Sequence, residues 1–282
     1  MVMINFRTAS LFHYTSFNSL KRILQEGIKP NYCKEDFSFN EKEHIIGIPM
    51  VSFCDIPLMR AYVFTSRYGN HTIGLSKKWA LKNNINPILY ICNSDIISSL
   101  LFYKSYETSL RERLKERGSD GQSLKIDLQN PDSVSEITTL INHGNSQSAN
   151  LNLFGYAKKY TGVNSKKVEQ CNYEENEWRY IVKEDISLGI NWKWNKSEYD
   201  LWRGDTSKSK PTPTTALEQK KLVFEVDDIT HIIVEQERQI TDIINYVEKL
   251  KQLGGSDKIL TESDKKQIYT KIISMEKIKN DF

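Results

Sequence analysis

The 282-residue chain is 39% hydrophobic and 27% charged, proportions that permit a full core and exclude wholesale disorder. Its 39 basic and 36 acidic residues leave a net charge of +3, which does not announce a nucleic-acid binder and does not bar a local basic patch. Four scattered cysteines (Cys33, Cys54, Cys92, Cys171) form no C-x-x-C pair, arguing against structural zinc and fitting a reducing compartment. Without a charged start leading into an apolar stretch, or any run of about 18 apolar residues, the expectation is a cytoplasmic protein with no membrane contact.

In chain order, Leu11 to Tyr14 predicts a short strand. Ser16 or Asn18 then caps a helix to about Glu26. Its apolar residues Leu20, Ile23 and Leu24 recur at helical spacing until Gly27 and Pro30 stop it. Residues 31–48 are polar and aromatic and read as a loop. Pro49 to Ile56 predicts a strand closed by Asp55 and Pro57. Leu58 to Tyr68 leans helical, and Thr72 to Leu75 predicts a strand. Ser76 caps a short helix to about Asn83, and Pro87 to Cys92 predicts another strand. This rhythm argues for a mixed α/β domain.

From Ile96 to about Tyr160 the pattern is helical but interrupted, giving a mainly helical insertion at about 96–150 within a single domain over 1–282. Glu177 to Val182 predicts a strand, and Thr206 to Thr215 a flexible loop. Leu222 to Val226 and Ile229 to Val234 predict strands. Glu237 to Leu253 predicts an amphipathic helix ended by Gly254-Gly255, and the tail from Lys258 to Phe282 a last strand or helix.

Two segments carry the functional reading. Alternation puts Glu175, Glu177 and Arg179 on one face of a strand and Trp178, Tyr180 and Val182 on the other. The aromatic face suits a core, which sends the charged face to solvent or a cleft. There, repulsion and desolvation raise a carboxylate's pKa while Arg179 lowers it. An exposed edge strand with an ordinary surface ion pair fits the same alternation. His13 and Tyr14 stand where the first strand meets its helix. A hydrogen-bonded structural histidine beside a packed tyrosine is the plainer alternative. Ser52 could bond a ribose or a carboxylate, and Asp55 could simply begin a turn.

Together these residue types suit cleavage of the nicotinamide–ribose bond of NAD. Positive charge builds on the ribose, as in glycoside hydrolysis. A fixed carboxylate stabilises it and can orient or deprotonate an acceptor. His13 and Ser52 can hold ribose hydroxyls, and a tyrosine ring can stack on the cationic nicotinamide. No phosphate-binding loop, dinucleotide fingerprint, H-E-x-x-H helix or nucleophile elbow competes. His44, His71, His143 and His231 lack metal-ligand spacing, so no metal site is predicted.

The runs Phe12-His13-Tyr14-Thr15 and Pro49 to Leu58 resemble the AbiGi abortive-infection family, as do Tyr68-Gly69, Ile73-Gly74-Leu75, Trp79-Ala80 and Glu177-Trp178-Arg179-Tyr180. The resemblance covers roughly residues 11–92 and 151–235 and implies the antitoxin partner of a two-gene phage-defence module. The same opening is similar, more distantly, to ADP-ribosyltransferases of the DarT type and the wider diphtheria-toxin-like fold. That likeness implies an α+β fold with a split, twisted β-sheet and NAD as a substrate. His13, with Tyr14 and Thr15 beside it, would contact the NAD ribose. Tyr62 or Tyr68 would stack on nicotinamide. Glu177 would be catalytic, and Glu175 would complete a Glu-x-Glu pair.

The leading expectation is an ADP-ribosyltransferase-like effector that transfers ADP-ribose to a macromolecule, nucleic acid before protein. Lys158, Lys159, Lys166, Lys167 and the stretch from Lys208 to Lys221 could supply phosphate contacts, although an ordinary solvated surface is the better fit to the same lysines, and a neutralising partner would be encoded nearby. The alternative is a non-enzymatic antitoxin or regulator on the same fold, binding a partner toxin or operator DNA. A third reading is an NAD hydrolase without a macromolecular acceptor.

Overall fold

The computed structural model describes residues 8–39, 43–60, 65–99, 153–163, 168–193, 195–204 and 215–281. Its first strand, β1 (Ser10–Thr15), passes directly into helix α1 (Phe17–Glu26). The Ser16 side chain accepts the Ser19 N–H, a standard way to satisfy a helix start. The helix buries Leu20, Ile23 and Leu24, the residues at helical spacing. It ends at Gly27, whose φ of 85° favours glycine, and a Cβ there would stand 2.6 Å from the Leu222 carbonyl oxygen.

Next come β2 (Asn31–Asp36), β3 (Ile45–Cys54), α2 (Thr65–Tyr68), β4 (His71–Ser76) and α3 (Lys77–Lys82), the last capped by Ser76. Short strands β5 (Asn86–Pro87), β6 (Leu89–Ile91), β7 (Ala157–Lys159), β8 (Thr161–Val163) and β9 (Glu169–Cys171) follow. Then come β10 (Glu177–Ile181), α4 (Lys196–Arg203), α5 (Thr215–Glu218), β11 (Ile229–Val234) and α6 (Arg238–Glu248). The chain closes with α7 (Glu262–Tyr269), β12 (Ile272–Ser274) and α8 (Met275–Asp281).

The main sheet runs β12-β11-β4-β1-β3-β10-β5, with β2 added on β3. Its pairings are antiparallel except for β11 with β12. The fold is therefore α+β with a mostly antiparallel sheet. Both faces are covered, as the residues of β11 show. Ile232 and Val234 join a core with α1, α3 and α6, while Ile233 joins Phe12, Tyr14, Cys54, Met275 and Ile278 on the other side.

The ten-residue β3 is the hub. Met50 pairs with Asn31 of β2 and with Ile181 of β10, so those strands lie on opposite edges of β3. Cys54 pairs with Phe12 of β1 and with Glu177 of β10. Strands β1 and β2 therefore share one edge of β3, and the sheet divides between them at residues 51–53.

Several expectations change. Within residues 31–48, read as a loop, 31–36 form β2 and 45–48 begin β3, and the two strands pair at six positions. The strand predicted over Pro87 to Cys92 breaks at Ile88 into β5 and β6, which pair with different partners. Leu222 makes only an isolated bridge to Ile28, and Val226 opens a 3-10 turn, so no strand fills 222–226. The helix expected to reach Leu253 stops at Glu248. The tail forms helix, strand and helix in turn. Residues 100–150 of the insertion expected at about 96–150, and most of the loop from Thr206 to Thr215, lie outside the described residues.

Candidate functional site

The C-terminal half of β3 and the adjoining β10 position the acidic residues singled out above. Glu177 pairs opposite Cys54 and Arg179 opposite Ser52. Alternation assigns the two faces of β10 correctly, but their burial is the reverse of the sequence reading. Glu177 and Arg179 are buried, at 5% and 0% exposed, whereas Trp178 and Tyr180 are half-buried. Strand β10 is also no edge strand, being flanked by β3 and β5. Glu175 is not on the strand. It sits in the 3-10 turn Asn172–Glu175, which Asn176 closes in the left-handed region, and it is 2% exposed.

Burial is possible because the charges meet one another. Arg179 Nε donates to Glu177 Oε1 at 2.7 Å and Nη2 to Glu177 Oε2 at 3.1 Å, a two-pronged pairing. Nη2 also donates to Glu35 Oε1 at 2.7 Å, and Nη1 donates to the carbonyls of Gly155 and Ala157. All five guanidinium donors are thus engaged. Lys158 of β7 donates to Glu175 Oε2 at 2.8 Å and Glu177 Oε2 at 2.9 Å. The Tyr68 hydroxyl donates to Glu175 Oε1 at 2.5 Å, and the Tyr90 hydroxyl accepts the Glu177 N–H at 2.8 Å.

The bond to Glu35 requires strong coiling of β3. Glu35 pairs opposite Ile46 and Arg179 opposite Ser52. Six residues of flat strand would separate those levels by roughly 20 Å, yet the side chains touch.

Electrostatics follow from this cage. Burial pushes the Glu177 carboxyl up, but Arg179 and Lys158 outweigh it and hold the group at about 2. Burial also dominates at Glu35, whose pKa is raised despite the pull of Arg179. The same carboxylates drive the Arg179 and Lys158 values upward against their desolvation. Three carboxyls thus share two cations, and Glu35, held by one guanidinium nitrogen, is the least supported.

The remaining candidates separate into two groups. Tyr14 and Tyr68 lie with the carboxylates: their rings are 6.5 Å apart, and Tyr14 shares the Phe12 and Cys54 face. His13 points the other way. Its ring lies 5.6 Å from Phe53, on the face of Trp178, so the sheet stands between His13 and Glu177. The imidazole occupies the division between β1 and β2, with Nδ1 at 2.9 Å from the Ser52 carbonyl. Burial lowers its pKa against that hydrogen bond.

Ser52 aligns with Arg179, and its hydroxyl contacts the Met50 sulfur at 3.5 Å. Thr15 ends β1 opposite His71. Tyr62 lies outside the described residues. Lys158 is no surface phosphate contact, being consumed by the carboxylates, and Lys159 donates to the Ser38 carbonyl. Lys166, Lys167 and the lysines before residue 215 lie outside the described residues. Among the described residues no group of His, Cys, Asp and Glu could hold a metal, and no helix is long and apolar enough to cross a membrane.

Sequence reasoning missed Glu35 and the structural role of Lys158. Glu35 stood inside an assumed loop, and its one sequence signal was the alternation Tyr32, Lys34, Asp36 against Cys33, Glu35. Nothing local to Lys158 links it to residues 17 and 19 positions later.

The comparisons with known proteins agree with this chain's own motifs. A family model described as "Putative abortive phage resistance protein AbiGi, antitoxin" matches residues 26–235. The "Abortive phage resistance protein AbiGi" of Lactococcus lactis subsp. cremoris is 26% identical over 249 residues, covering 83% of this chain and 89% of that protein. No solved structure matches. With its matched segment spanning both β3 and β10, the chain belongs to the AbiGi family of abortive phage resistance proteins.

Proposed function

We propose that this protein is the non-catalytic, neutralising member of an abortive-infection pair and works by binding a partner toxin. One observation carries the reading: the two carboxylates best suited to catalysis are sealed and neutralised. Glu175 and Glu177 are 2% and 5% exposed and bonded to Lys158, with Arg179 adding a second cation at Glu177. A carboxylate that stabilises a developing oxocarbenium ion must face the sugar. One that already spends its oxygens on a buried lysine and arginine holds strands together instead. His13, on the opposite face of the sheet, cannot close on the same ribose as Glu177. The family model's antitoxin description supports the same reading.

The test is expression with and without the neighbouring gene. Alone, the protein should leave growth unchanged, and it should restore growth when the neighbouring product is toxic. Growth arrest by the protein alone would overturn the reading.

An NAD-dependent transferase is the second reading, favoured by the gathering of Tyr14, Tyr68, Glu175 and Glu177 on one face. Calorimetry with NAD discriminates, because binding that Tyr68→Phe weakens by tenfold or more would support it. Absence of heat at millimolar NAD would remove it. Transfer to nucleic acid belongs to this second reading alone.

A further inference from the structure

The segment around Tyr160 brings together two cysteines far apart in sequence. Tyr160 donates its backbone N–H to the Ile91 carbonyl at 2.9 Å, and its own carbonyl accepts the Asn172 N–H at 2.8 Å. Cys92 follows Ile91 and Cys171 precedes Asn172, so one residue's backbone tethers both cysteine neighbours. The registers agree: Ile91 pairs with Lys159 in the parallel β6–β7 ladder, and Cys171 with Thr161 in the antiparallel β8–β9 ladder. Cys92 is exposed and Cys171 half-buried.

We propose that Cys92 and Cys171 form a thiol pair that closes reversibly to a disulfide under oxidising conditions, with a low-molecular-weight disulfide as oxidant. The Cys92 thiolate attacks one sulfur of oxidised glutathione, forming a mixed disulfide and expelling glutathione thiolate. The Cys171 thiolate then attacks Cys92 Sγ and expels the second glutathione. Two thiol protons leave, and two electrons pass to the oxidant, which ends as two reduced glutathiones. The bridge needs Cα atoms about 4.4–6.8 Å apart, and the neighbours of both cysteines are bonded to the backbone of the same residue, Tyr160. Cys33, in β2, and Cys54, buried in β3, pack in other clusters and stay reduced. Closure would fasten β6 to the turn that carries Tyr173, whose exposed ring stacks on Tyr160 at 5.5 Å. The proposal is independent of the partner-binding reading.

The experiment treats the folded full-length protein with oxidised glutathione, quenches free thiols and maps peptides without reduction. The expected product is one peptide pair joined through Cys92 and Cys171, with Cys33 and Cys54 blocked as free thiols. Cys171→Ser should instead trap glutathione on Cys92, and Cys92→Ser should give no bridge and react at least tenfold more slowly. A wild-type product carrying stable glutathione on Cys92, a bridge involving Cys33 or Cys54, or no reaction at all would each overturn the assignment.

Discussion

Arg179 shows most clearly how single side chains set the behaviour of this molecule. Its guanidinium holds Glu177, Glu35 and two backbone carbonyls in a site with no exposure. Arg179→Met should therefore cost about 3–5 kcal/mol, because it leaves Glu177 with Lys158 alone and takes the guanidinium from buried Glu35. Urea unfolding would measure it. Glu35→Gln should differ sharply, changing stability by less than about 1 kcal/mol. The burial that raises the Glu35 pKa already favours its neutral form, and an amide oxygen can still accept from Arg179. If the two substitutions proved equally damaging, Glu35 would be as strongly held as Glu177, and its place as the least supported carboxyl would fall.

At the level of elements, the caps and close approaches carry the risk. Ser16→Ala removes the acceptor for the Ser19 N–H and should lower stability by about 1 kcal/mol. Gly27→Ala should be worse, at least about 2 kcal/mol, since it combines a positive φ with a Cβ driven onto the Leu222 and Gly254 carbonyls. Thermal melts of the two variants would give the order.

Elements were legible where local chemistry was strong. The serine cap at 76, the apolar stripe of α1 and the β-branched run of β11 stand as read, and of the two cap candidates for α1 it is Ser16 that serves. The arm formed by β2 was illegible because Asn-Tyr-Cys-Lys-Glu-Asp has weak strand propensity and is held by pairing with β3. The faces of β10 were legible by alternation, but which face was buried was not. Polarity sends charges outward unless distant partners neutralise them, and Glu35 and Lys158 lie far away in sequence.

For the whole molecule, pH gives the sharpest test. Burial is the largest influence lowering the pKa values of His13, His71 and His231 below the usual 6.5. Below about 6.5 the unfolded chain takes up protons that the folded one resists. Stability contributed by these neutral imidazoles is thus present above that pH and lost as pH falls. Glu177 adds to the loss only in stronger acid, from its ordinary 4.5 down to about 2. Denaturation midpoints should decline between pH 7 and 5.5, and a flat profile there would show that the imidazoles protonate freely in the folded state.

The parallel neighbours β6 and β7 carry one more consequence. Two strands running side by side in the same direction need a return path of about a dozen residues, and residues 92–156 provide several times that length. Length variation among related chains should therefore concentrate in this excursion, while the short interval joining the antiparallel neighbours β2 and β3 stays nearly constant. A shortened chain that keeps a modest bridge there should still assemble its sheet.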